Sequence, residues 1–141
     1  MAAQSELIIE TRGPGLYEFT DDAAAFVANH RGGAALLTAF VQHTSCSLLV
    51  QENADPDVRR DLGEFFARLV PPTDDPRHDW MRHRLEGPDD MPAHIKAALT
   101  AVSISVPCTN GQLALGVWQG LYLFEHRRAA HRRHIVMHLS D

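Results

Sequence analysis

Two histidines, His83 and His94, bracket an acidic, Gly/Pro-rich segment, Glu86-Gly87-Pro88-Asp89-Asp90-Met91-Pro92, that runs into a helix start. One imidazole on a loop and a second at the mouth of a helix can converge on one point, which is what binding a metal or a reacting group requires. A third imidazole, His43, ends the apolar run of residues 34–41. Catalytic zinc commonly takes three protein ligands and leaves a fourth position to water or substrate, and three neutral histidines suffice. His94 favours the neutral form because the dipole of a nearby helix N-terminus opposes a cationic ring. The spacing is no diagnostic signature. Taken singly, His43 reads equally as a hydrogen-bonded strand end, His83 as a loop residue in water and His94 as a solvent-facing helix residue. His30, His78, His131, His134 and His138 read as turn or exposed-strand residues, and His126 fits either class.

Other groups that can do chemistry stand near these histidines in sequence. Glu52 is the preferred general base, with Asp55, Asp89, Asp90 and Glu125 as further carboxylates that can orient a ring or take a proton. In one continuous strand Glu52 and His43 face opposite sides, so that pairing requires a bend or bulge. Ser45 and Ser47 share the face of His43 in a regular strand, which makes Ser45 a nucleophile candidate, although no Gly-x-Ser-x-Gly elbow surrounds it. Asn110-Gly111 and Gly116-Val117-Trp118-Gln119-Gly120 can line a pocket, with Trp118 as a stacking face and Gln119 as a two-way hydrogen-bonding amide. The alternative is that these glycines serve turns and Trp118 packs in the core. Arg127, Arg128, Arg132 and Arg133 concentrate positive charge around a connection between strands, and a guanidinium such as that of Arg133 suits phosphate.

The elements that must position these groups fit one domain over residues 1–141. The chain is 45% hydrophobic and 22% charged, enough apolar material for a core, with no repeat or linker to divide it. A net charge of -5 opposes wholesale binding to nucleic-acid phosphates. The absence of a signal-like N-terminus or a long apolar run excludes a membrane span and points to the cytoplasm. Cys46 and Cys108 read as buried thiols rather than a disulfide framework.

Residues 7–10 and 16–19 read as strands around a Gly-Pro-Gly turn, followed by a helix capped by Thr20 or Asp21 and reaching about Asn29. Residues 34–42 and 45–51 suit neighbouring strands in a covered sheet. Asp55-Pro56 opens an amphipathic helix in which Val58, Leu62, Phe65, Phe66 and Leu69 form the core face, until Pro71-Pro72 stops it. A short helix from Asp90 to about Thr100 buries Ile95 and Leu99. Strands follow at 102–107, 112–118, 121–125 and 134–139, with Asn110-Gly111 as the hairpin turn. In the last strand His134, Val136, His138 and Ser140 share one face, and Ile135, Met137 and Leu139 the other.

Five segments in order, His43-Thr44-Ser45, residues 52–58, residues 86–96, Thr109-Asn110-Gly111 and residues 115–120, resemble the YjbQ family from about residue 5 to the C-terminus. Cys46 and Cys108-Thr109 depart slightly from its usual pattern. The resemblance implies an α+β fold with antiparallel strands in two packed sheets, about three helices to one side, and assembly as a homotrimer. It also implies a weak thiamine-phosphate synthase activity, joining a pyrimidine diphosphate to a thiazole phosphate.

The combined expectation is an enzyme in which His43, His83 and His94 hold a divalent ion, zinc first, while Glu52 handles the proton. Its substrate is a small phosphorylated or heteroaromatic metabolite, with nucleic acid and membrane excluded as partners. The alternative is a non-catalytic trimeric protein that binds such a metabolite near Trp118 and Gln119.

Overall fold

The computed structural model describes residues 2–141. Eight strands and three helices follow in the order β1 (Ala3–Arg12), β2 (Gly15–Glu18), α1 (Thr20–Val27), β3 (Ala34–Val41), β4 (Cys46–Glu52), α2 (Pro56–Leu69), α3 (Asp90–Leu99), β5 (Ser103–Thr109), β6 (Gln112–Leu113), β7 (Gln119–Glu125) and β8 (Ala130–Ser140). They form a five-stranded sheet, β1-β8-β3-β5-β6, and a three-stranded sheet, β2-β7-β4, with every pairing antiparallel. This is the expected α+β architecture.

The alternation of β8 sets the core face of the larger sheet: Ile135, Met137 and Leu139 are buried, while His134, Val136, His138 and Ser140 are half-buried on the other side. Leu37, Ala39 and Val41 of β3 meet them from the neighbouring strand. β7 is covered on both faces, so Leu121, Tyr122, Leu123 and Phe124 are all buried and the strand reads as a continuous apolar run. Cys46 and Cys108 are buried thiols, as expected. Asn110 and Gly111 both take positive φ, the tight-turn geometry that joins β5 to β6.

Several local expectations are corrected by tertiary pairing. β1 and β2 flank a tight turn yet belong to different sheets, and so do β3 and β4, which the sequence pattern places as neighbours. Gly13 and Gly15, both at positive φ, allow the first switch of partner. The strand expected over 112–118 stops at Leu113, and β8 begins at Ala130 rather than His134. Thr20 does not cap α1; its hydroxyl donates to Glu18 and accepts the Leu121 N–H. In α3 the buried residues are Asp90, Pro92, Ala93 and Ala97, whereas Leu99 is exposed.

Helix α2 starts where expected, with Asp55 accepting the Asp57 N–H at 2.9 Å and Pro56 in the first turn. Its apolar face is not core, because no residue of α2 is buried and Phe65 and Leu69 are 57% and 52% exposed. The helix touches the small sheet along one line, where Phe66 meets Phe124 edge to face at 5.3 Å.

Candidate functional site

The cluster that could hold a metal forms around α3. Asp90 opens the helix and His94 follows one turn later, so the two side chains share a face. His83 and Glu86 come from the loop before the helix. One donor atom from each of His83, Glu86, Asp90 and His94 lies within 4.8 Å of all the others. Arg84 holds that loop in place by donating to the backbone carbonyls of Met81, Thr73 and His78.

One carboxylate oxygen is the hub. Asp90 Oδ2 lies 2.6 Å from His83 Nε2 and 3.1 Å from His94 Nε2, and His83 Nε2 is 3.1 Å from Glu86 Oε2. The other ring nitrogen of His94, Nδ1, is 2.9 Å from the Thr44 carbonyl, which accepts its proton. That bond fixes the tautomer, so in a neutral ring Nε2 carries a lone pair aimed at a carboxylate oxygen. Two lone pairs repel unless a proton or a metal ion stands between them. Ligands of a tetrahedral ion at 2.0–2.1 Å stand about 3.3 Å apart. To admit one, Asp90 Oδ2 and His83 Nε2, at 2.6 Å, would have to part by more than about half an ångström, and the two pairs at 3.1 Å by about 0.2 Å. Two imidazoles with carboxylate partners are a donor set that fits zinc or non-haem iron.

Charge around the hub is balanced from behind. Arg127 donates to Asp90 Oδ1 at 2.5 Å, to Asp89 Oδ2 at 3.0 Å and to the Glu86 carbonyl at 3.0 Å. Burial opposes the charged form of Asp90, but hydrogen bonds with His83 and Glu86 and the charges of Arg127 and His94 outweigh it and hold the carboxyl below its usual range. The hydrogen bond to Asp90 in turn raises His83. Asp90 is almost fully buried, whereas the His83 and His94 side chains are 43% and 32% exposed. The cluster is thus anchored inside and open outside.

The structure brings together two of the three histidines expected to act jointly. His43 is not in the group: its Nε2 accepts the backbone N–H of His134 at 2.9 Å, and its ring packs against that of His134. Burial, then the nearby Arg133 charge, lowers its pKa, which suits an acceptor nitrogen. Glu52 is also elsewhere. It closes the far end of β4, and at about 3.3 Å per residue a strand from Cys46 to Glu52 puts it roughly 20 Å from the Thr44 carbonyl that binds His94.

Ser45 and Arg133 belong to the interior. Arg133 and Glu125, 3% and 0% exposed, form a bidentate pair with Nε–Oε1 at 2.8 Å and Nη2–Oε2 at 2.5 Å. Arg133 Nη2 also donates to Ser45 Oγ at 2.9 Å, and Thr11 Oγ1 donates to Glu125 Oε1 at 2.6 Å. Arg133, 3% exposed, thus spends Nε and Nη2 on Glu125 and Ser45 as a buried counter-ion, and Ser45 has no histidine partner among the described residues. Its neighbour Ser47 does: Ser47 Oγ and His126 Nε2 share a buried hydrogen bond of 3.0 Å.

The residues expected to line a substrate pocket are dispersed as well. Asn110 and Gly111 form the turn, Trp118 is exposed, and Gln119 Oε1 accepts the Gly116 N–H at 2.7 Å. None of the four lines the cavity of about 370 Å³ beneath α2.

Glu86 and Arg127 are the residues at the cluster that sequence reasoning misses, while Asp90, expected only as a carboxylate that orients a ring or takes a proton, proves to be its hub. A signal for Glu86 is present, since His83/Glu86 and Asp90/His94 are spaced three and four apart. Arg127, expected on a solvated connection, gives none, because it reaches the cluster from the other end of the chain.

Fold and cluster together define a two-sheet α+β domain that presents histidines and carboxylates around a common point. A profile described as UPF0047 protein YjbQ-like matches residues 5–141, so the chain belongs to the YjbQ (UPF0047) family. It is 50% identical over 137 residues to a UPF0047 protein of Synechocystis, covering 97% of this chain and 90% of that one. To YjbQ of Escherichia coli O157:H7 it is 38% identical, covering 97% and 96%. A conserved hypothetical protein of Thermus thermophilus superposes with a TM-score of 0.78 at 35% identity, covering 94% of this chain and 97% of that one. A YbjQ-like protein of unknown function from Sulfolobus solfataricus shares the fold, with a TM-score of 0.83 at 19% identity and coverage of 100% and 99%.

Proposed function

We propose that this protein is a metal-dependent enzyme acting on a small phosphorylated or heteroaromatic metabolite. The observation that carries the reading is Asp90 Oδ2 set between His83 Nε2 and His94 Nε2, with the His94 tautomer fixed by the Thr44 carbonyl. Zinc is the preferred ion, held by His83, Asp90 and His94. When bound, such an ion polarises a phosphate or carbonyl oxygen or lowers the pKa of a water. Glu86, exposed and 3.1 Å from His83, takes the proton-handling role expected of Glu52. Arg127 is a positioning residue that fixes the Asp90 carboxylate through Oδ1 and leaves Oδ2 to the cluster.

Thiamine-phosphate synthesis is a side activity in this reading, implied by the family resemblance. A cytoplasmic homotrimer is the proposed working form. Exposed Phe65 and Leu69 on α2 and Phe40 on β3 support it, because large apolar side chains gain most from burial between subunits. No helix among the described residues is long and apolar enough to cross a membrane. The alternative, a non-catalytic protein that binds such a metabolite near Trp118 and Gln119, is less favoured at that place because Gln119 Oε1 is spent on the Gly116 N–H and neither residue lines the cavity.

Elemental analysis of untagged protein tests the proposal. Stoichiometric metal is expected in the wild type and in His43→Ala, and its loss in His94→Ala. Equal content in the wild type and His94→Ala overturns it.

A further inference from the structure

The cavity of about 370 Å³ lies between α2, α3 and the end of β7, and its volume suits a ligand of one or two rings. Phe66, Val70, Pro72 and Phe124 give it an apolar floor. Gly63 faces it from the middle of α2, where a glycine costs about 1 kcal/mol relative to alanine. A Cβ built there would meet nothing within 4 Å, so local packing does not demand the glycine.

The polar wall is asymmetric. The lining carboxylates already have partners: Glu64 pairs with Arg68, Asp89 with Arg127, and Glu125 with Arg133. Arg59 and Arg60 are engaged too, with the Tyr122 hydroxyl and with Asp57 and Asp61. Lys96 and Arg128 differ. Both line the cavity, they stand near enough to repel each other, and neither side chain has a hydrogen bond or ion pair among the described residues. The backbone N–H of Arg128 is fixed to Asp89 at 2.8 Å, which holds that residue against α3. Asp89 lies near enough to favour the Lys96 charge, but its Oδ2 is already shared by Arg127 and the Arg128 N–H, so the two cations beside the apolar floor have no ion pair of their own.

His126 completes the wall. It is only 3% exposed, packs on Phe124 with ring centroids 4.5 Å apart, and spends Nε2 on Ser47. Its Nδ1 has no hydrogen-bond partner among the described residues, yet it is not sealed off from solvent space as the orphaned buried atoms are. The ring lines the cavity, so that nitrogen is available to a ligand. Burial and the Lys96 charge push the His126 pKa down to about 3, so the ring is neutral and Nδ1 can accept or donate a hydrogen bond, according to which nitrogen carries the ring proton.

We propose that this cavity binds a small aryl or heteroaryl phosphate, with the ring over Phe66 and Phe124, the phosphate between Lys96 and Arg128, and a ring substituent hydrogen-bonded to His126. The site uses none of the four metal-cluster side chains, so it stands or falls separately from the proposed metal chemistry.

Titration calorimetry on chelator-treated protein with phenyl phosphate and with inorganic phosphate tests it. Phenyl phosphate should bind saturably, at least about tenfold more tightly than inorganic phosphate. Lys96→Gln and Arg128→Gln should each weaken it about tenfold or more, the loss expected for one charge-assisted hydrogen bond. Gly63→Leu should abolish it while the thermal midpoint is kept or raised. Absence of saturable binding through the millimolar range overturns the proposal, as does equal affinity for the two phosphates. Undiminished binding in these variants does the same.

Discussion

Two carboxylates near the same end of the small sheet meet opposite fates. Glu125 lies wholly inside, its oxygens filled by Arg133, Thr11 and backbone N–H groups of His126 and Arg127. Asp90 is equally inaccessible, but only Oδ1 is spent on a guanidinium, while Oδ2 is shared by two half-exposed imidazoles. The first carboxylate is closed, with both oxygens bonded from within, so its work is to hold the end of β7 to β8. The second is left open on one side. Buried charge alone does not distinguish structural from functional groups; what remains for an outside partner does.

The closed pair should break most violently. Arg133→Met leaves Glu125 buried without its cation, and a loss of about 3–5 kcal/mol is expected in denaturant unfolding. Loss below about 1 kcal/mol would mean that the pair is not closed to water.

Next comes the acid limb of His126, a buried ring that Ser47 holds beside the closed pair. Its folded pKa of about 3 is far below the ordinary 6.5. The stability it lends is therefore fully present above pH 6.5 and is lost as pH falls towards 3, at up to about 1.4 kcal/mol per pH unit. His126→Phe should flatten that part of the stability profile; an unchanged slope would locate the acid sensitivity elsewhere.

On the open side, Asp90→Asn should weaken zinc binding at least about 100-fold while costing less stability than Arg133→Met, since Asn can still meet Arg127. Equal affinity would remove Asp90 from the ligand set. The smallest effect sharpens the boundary between the two regions. His43→Ala should cost about 1 kcal/mol by orphaning the His134 N–H and leave zinc affinity unchanged. A drop in affinity would return His43 to the cluster.

Much of the fold was legible because local patterns carried it. The Asp55-Pro56 start of α2, the Asn110-Gly111 turn and the alternation of β8 all appear as expected. The site was half legible. His83 and His94 converge because one short loop and one helix start join them, so few residues separate the ligands. His43 and Glu52 failed for a long-range reason: strand pairing gave His43 to His134 and carried Glu52 to the far end of β4.

By itself the sequence determined which segments become strands, turns and helices, though not all of their ends, since capping, turn conformation and side-chain periodicity act within a few residues. It also determined that His83 and His94 would be near each other. Only the tertiary structure decided that β1 and β2, and β3 and β4, part into separate sheets, and that Arg133 is a buried counter-ion rather than an anion receptor. It likewise brought Arg127 in behind Asp90. Those outcomes depend on which distant strand wins the backbone hydrogen bonds and which buried charge finds a partner, and such energies exist only once remote parts of the chain have met.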